Sequence, residues 1–114
     1  MGGVIAILVS GALLLVLLVL SRQLERDRDR VLRCLLAQDG RPMRGLDFVT
    51  AGASNRGIIY VVLSDLEEEG LIRSRTVLRY DDIHGEYGAQ VREYELTGAG
   101  RAVAHDLRLG RQSA

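Results

Sequence analysis

The sequence predicts a mainly helical fold carrying one small β-hairpin, preceded by a single transmembrane helix. Three observations predict it. Residues 3–20 form an uncharged apolar run, residues 22–69 repeat apolar side chains at helical spacing, and two extended runs rich in Val, Ile, Thr and Tyr follow, joined by a polar loop. A chain of 114 residues with 47% apolar and 26% charged side chains leaves room for one small domain beyond the apolar run, which excludes a multi-domain enzyme. The 15 basic residues, all arginine, balance 15 acidic ones, so the formal net charge is zero. Cys34 is the one cysteine, and His84 and His105 have no cysteine neighbour, so neither a disulfide scaffold nor a structural zinc site is supported. No cofactor and no metal are expected.

The apolar run comes first. Ser10 is its only hydroxyl, and eighteen helical residues reach roughly 27 Å, close to the roughly 30 Å hydrocarbon layer of a bilayer. A cleaved secretory signal requires a basic stretch before the run and small residues after it, and neither is present. Arg22, Arg26, Arg28, Arg30 and Arg33 follow immediately, and the bias of arginine toward the cytoplasmic side sets the orientation. The expectation is an uncleaved anchor over residues 1–21, in contact with lipid through residues 3–20. It places the protein in the inner membrane as a single-pass chain, N-terminus outside and C-terminal domain in the cytoplasm. Gly2, Ala6 and Ser10 share one helix face, where two anchors of a homodimer would approach closely.

The body is expected over residues 22–109, with a polar tail at 110–114. Charges alternate from Glu25 to Arg30 on what reads as a solvated face, while Leu24, Val31, Leu32, Leu35 and Leu36 make an apolar stripe up to about Gln38. Asp39-Gly40-Arg41-Pro42 ends that helix. A short helix follows over Gly45 to Thr50, with Phe48 available to the core. Asn55 is an N-cap candidate for a third helix running to Glu69, with Ile59, Val62, Leu63 and Leu66 facing inward and Gly70 as a left-handed stop. Ile72 to Tyr80 and Ala89 to Thr97 read as the hairpin, and about Ala99 to Leu109 as a last helix. Three helices followed by a hairpin is the layout of a winged helix-turn-helix.

The residues also resemble a known family. Asn55 to Ile72 (NRGIIYVVLSDLEEEGLI) resembles the third helix of PadR-like transcriptional regulators, whose pattern is roughly Ser-Pro-Gly-x-Leu-Tyr-x-x-Leu-x-x-Leu-Glu-x-x-Gly-Leu-Ile. Pro42 to Gly45 is similar to that family's Pro-Met-His-Gly, and Arg92 to Arg101 to its Arg-x-Tyr-x-Leu-Thr-x-x-Gly. The likeness covers about Val31 to Ala104. It implies a non-enzymatic DNA-binding protein that regulates transcription, reading DNA with the first half of the third helix and gripping phosphate with the hairpin.

On that reading the DNA-binding candidates are Arg44, Asn55, Arg56, Tyr60, Arg73, Arg75 and Arg79. The charge balance pulls both ways. DNA affinity draws on neutralised phosphates, yet Gly57 to Ile72 carries no base and four acids, Asp65, Glu67, Glu68 and Glu69. Arg73, Arg75 and Arg79 are expected to compensate from the first hairpin strand. The alternative is an interaction module, without DNA binding, that docks a cytoplasmic protein through Ile58, Val61 and Asp65, since exposed apolar residues beside acids suit a protein surface better than a phosphate backbone. The two readings divide on whether Arg56 and the hairpin arginines stand free or are held by carboxylates. A free set favours DNA, a held set favours docking.

Overall fold

The computed structural model describes the backbone of residues 2–81 and 86–110 and the side chains of residues 10–78 and 90–110. Its first element, α1 (Gly2–Ala37), runs unbroken through both the apolar run and the charged stretch after it. Among the described residues no helix is long and apolar enough to cross a membrane. This corrects the expected anchor, its lipid contact through residues 3–20 and the inner-membrane location. From Arg22 the same helix turns charged. Leu13 to Leu20 stand 45–67% exposed, apart from the core cluster. The side chains of Gly2 and Ala6, named for a homodimer contact, lie outside the described residues, and Ser10 is exposed.

The second half of α1 is amphipathic as its spacing predicts. Val31, Leu32 and Leu35 are at most 2% exposed and belong to the core. One charge departs from the solvated face expected of this stretch. Asp27 is buried, and its carboxylate accepts a 2.9 Å hydrogen bond from the Ser54 hydroxyl while Arg30 stands 3.8 Å away. A buried carboxylate without such partners is costly, so the pair ties α1 to the turn before the third helix. Asp39 (φ 53°) and Gly40 (φ 84°) both adopt left-handed backbone and stop α1.

The chain then makes a two-residue strand, β1 (Met43–Arg44), which the sequence did not predict, followed by α2 (Gly45–Thr50) and α3 (Ile59–Glu68). Gly70, at φ 76°, ends the α3 segment in the left-handed conformation. The hairpin is β2 (Ile72–Asp81) against β3 (Glu86–Leu96), and β1 lies on the far side of β3, giving an antiparallel sheet of order β1-β3-β2. Ile72 pairs with Leu96, Ser74 with Tyr94 and Thr76 with Arg92, and the register shifts between Leu78 and Tyr80. His84 lies outside the described residues.

The last helix, α4 (Gly98–Arg108), is capped by Thr97, whose hydroxyl accepts from the Gly100 N–H at 3.0 Å and donates to the Gly70 carbonyl at 2.6 Å. One threonine thus ties the end of α3, the hairpin's root and α4 together. Gly100 explains how close they come, because a Cβ there would collide with the Leu71 backbone carbonyl. The core is a single cluster in which Val31, Leu35, Phe48, Ile59, Leu63, Leu66, Ile72, Tyr94, Ala104 and Leu107 meet. This is the winged helix-turn-helix layout, mainly helical with a small three-stranded sheet.

Candidate nucleic-acid interface

The position of α3 follows from its burial. Ile59, Val62, Leu63 and Leu66 are all fully buried, so one face is committed to the core and the other is presented outward. Its start is built by Asn55. The Asn55 side-chain oxygen accepts from the N–H groups of Gly57 (2.9 Å) and Ile58 (3.2 Å), and its carbonyl accepts from Ile59 at 3.0 Å. This side-chain turn spends residues 56–58 before regular helix begins, so α3 starts at Ile59 and not directly after Asn55. Arg56 sits in that turn, exposed, and enters no ion pair among the described residues.

Tyr60, one turn on, is 56% exposed. Its ring lies over the backbone of Gly45, where a Cβ would stand 2.8–2.9 Å from ring and hydroxyl atoms, so the glycine at the start of α2 makes room for it. Arg44 precedes that glycine. Its N–H donates to the Asp47 carboxylate at 2.9 Å and its guanidinium stands 3.8 Å from the same group, which orients Arg44 at the α2 N-terminus and partly cancels its charge.

The hairpin arginines do not behave as expected. Arg73 pairs with Glu95 at 2.6 Å and Arg75 with Glu93 at 3.5 Å, each directly across the β2–β3 ladder. Residues opposite one another share a sheet face, and alternation puts Ser74, Arg92 and Tyr94 on the other one. The Ser74 hydroxyl donates to Glu67 of α3 at 2.9 Å, and Tyr94 is buried in the core. The α3 side of the sheet is therefore the Ser74 side, and Arg73 and Arg75 point away from α3 onto carboxylates. The expected compensation from β2 fails for these two, because the facing strand supplies an acid at each position. The Arg79 side chain lies outside the described residues.

The acids of α3 are divided as well. Glu69 is paired with Arg28 of α1, and Glu67 accepts from Ser74, while Asp65 and Glu68 enter no ion pair among the described residues. Of the residues named for protein docking, Val61 is 50% exposed, whereas Ile58 and Asp65 are only partly so. The apolar patch is smaller than the sequence suggests.

Sequence reasoning missed Arg92. It is exposed, enters no ion pair among the described residues, and lines both shallow cavities that flank Tyr60. One, of about 330 Å³, also takes in Ser64, Glu67 and Glu68, and the other, of about 360 Å³, takes in Arg44, Asp47 and Gln90. The alternation of β3 carried the signal: once Tyr94 is inward, Arg92 shares its face. Arg92 lies beside the Tyr94 phenol on the same face of β3. Burial pushes the Tyr94 phenol up from its ordinary value, with Arg92 opposing, so Tyr94 stays neutral. Burial, aided by Asp47, also raises Cys34, which lies 3.7 Å from the Met43 sulfur and remains an inert thiol.

No family model matches the sequence, and no curated relative does either. Solved structures do resemble it. Bacillus subtilis PadR, solved in complex with operator DNA, superposes with a TM-score of 0.59 at 21% identity over 72% of this chain and 46% of the PadR chain. The protein thus spans just under half of that relative's length. Lactococcus lactis ZitR, solved without ligand as a double mutant, gives 0.59 at 16% identity over 90% of this chain and 70% of its own. A candidate transcriptional regulator of Thermoplasma acidophilum gives 0.51 at 26% identity over 76% and 83%. The chain shares its fold with regulators of transcription, and none of these neighbours is described as an enzyme.

Proposed function

We propose that the protein is a PadR-like winged-helix DNA-binding regulator without catalytic activity, whose binding unit is the body at residues 22–109. It meets DNA through the turn at Asn55 and Arg56 and the first turn of α3, with Tyr60 and Arg44 alongside. The observation that carries this reading is the placement of Arg56, exposed and without an ion pair among the described residues, at the start of a helix whose opposite face is fully buried. That is where a helix-turn-helix reaches base edges or phosphate. The fold shared with a PadR solved on operator DNA supports it.

The carboxylates of the hairpin limit the affinity, since Arg73 and Arg75 bring no net charge to a phosphate backbone. Binding is expected to be weak and to fall with salt along a shallow slope, since few phosphates are neutralised. A fluorescence titration of the full chain with duplex genomic fragments at several salt concentrations tests the reading. Binding that appears at low salt and weakens by about 1.5–3 kcal/mol in Arg56→Ala supports it. Absence of binding at low salt rejects it.

The held arginines favour a second reading, a module that docks a protein through Ile58, Val61 and Asp65. Capture of one defined partner that survives nuclease and is lost in Val61→Asp would support that reading over the first.

A further inference from the structure

The hairpin carries arginines on both of its faces, and only one face looks toward α3. We propose that Arg92, standing beside Tyr60 in the trough between α3 and β3, is the residue through which the hairpin grips a DNA phosphate, in place of Arg73 and Arg75. The proposal rests on the DNA-binding reading above and names the contact that reading lacks.

Register is the first argument. Arg92 pairs with Thr76, which offers it no acid, whereas Arg73 and Arg75 each face a glutamate. A phosphate approaching Arg73 or Arg75 would meet Glu95 or Glu93 at the same position. One approaching Arg92 meets an uncompensated guanidinium on the side where α3 presents Tyr60 and, at its start, Arg56.

Access is the second. The open spaces on both sides of Tyr60 reach Arg92, and they differ in charge. On the Ser64 side Arg92 faces Glu67 and Glu68, an acid surplus that repels a phosphate. On the Gln90 side Arg44 is held by Asp47 and stands opposite Glu93 across β1–β3, so Arg92 is the cation there with no acid across from it, and the Gln90 amide adds a donor. A phosphate therefore settles at Arg92, beside the Tyr60 ring and the Gln90 amide. Tyr94, two residues on and buried in the core, lines the Ser64-side space together with Arg92.

The test compares the two faces in the full chain. Wild type, Arg92→Gln and the double variant Arg73→Gln/Arg75→Gln are titrated with a labelled mixed-sequence duplex over a range of salt, after thermal melts establish that each folds. Arg92→Gln is expected to weaken binding about tenfold and to lower the slope of log affinity against log salt by about one. The double variant is expected to bind within about twofold of wild type, because each lost cation frees an acid only at a face the DNA does not touch. Arg92→Gln binding as wild type does, or the double variant losing more than Arg92→Gln, overturns the proposal and leaves the DNA reading standing. No binding by wild type at low salt overturns both. If Arg92→Gln melts early, Glu68→Gln takes its place: relieving the acid beside Arg92 is expected to raise affinity about twofold, and unchanged affinity overturns the proposal.

Discussion

The two faces of the hairpin are made by the same strands from similar residue types, yet they differ in what they offer. On one, Arg73 and Arg75 stand opposite Glu95 and Glu93 and are neutralised. On the other, Ser74, Arg92 and Tyr94 meet α3, and the cation has no acid across from it. A count of arginines does not separate these faces. Register does, because a one-residue step along a strand exchanges solvent for groove.

The largest effect is expected where both faces share a foundation. Gly100→Ala drives a methyl group into the Leu71 carbonyl at the hairpin's root, and overpacking against backbone is expected to cost about 3 kcal/mol in urea unfolding. A loss below about 0.5 kcal/mol would mean that α4 does not seat as described.

Tyr94→Phe sharpens the comparison from the groove side. Removing the phenol hydroxyl beside Arg92 is expected to cost at most about 1 kcal/mol. The pH dependence carries a further signature. The folded phenol is raised above its ordinary value, so its contribution is fully present below about pH 10 and is lost as pH rises through the folded value. Wild type should therefore lose stability above about pH 10 and Tyr94→Phe should lose less over the same range. Parallel curves would contradict the burial.

Gly45→Ala probes Tyr60. The added methyl meets the far end of a tyrosine that is free to swing, so stability should fall by under about 1 kcal/mol while the ring leaves its place beside Arg92. Tyrosine fluorescence and DNA affinity should both change. The smallest effect is reserved for the outer face, where Glu93→Gln/Glu95→Gln breaks two exposed ion pairs and should shift stability by about 0.5 kcal/mol.

Much of this fold was legible in the sequence because its signals are local. The inward set Ile59, Val62, Leu63 and Leu66, the bounds of α2, the left-handed Gly70 and the threonine before α4 depend on neighbours in the chain. What was missed depends on distant partners. β1 exists only because β3 lies beside it, Asp27 is buried only because Ser54 meets it, and Glu69 is neutralised from α1. The site suffered most. Arg73 and Arg75 look alike to Arg92 until pairing assigns each an opposite residue. The apolar run reads as a membrane span from its length, its composition and the arginines after it, whereas among the described residues no helix is long and apolar enough to cross a membrane and the run continues directly into a charged helix.

The most direct measurement is a titration of the nitrogen-15-labelled full chain with duplex DNA at low salt, followed amide by amide. Shifts concentrated at Arg56, Tyr60 and Arg92, with Arg73 and Arg75 unmoved, are the predicted result. Shifts centred on Arg73 and Arg75, or no shifts anywhere, would contradict it.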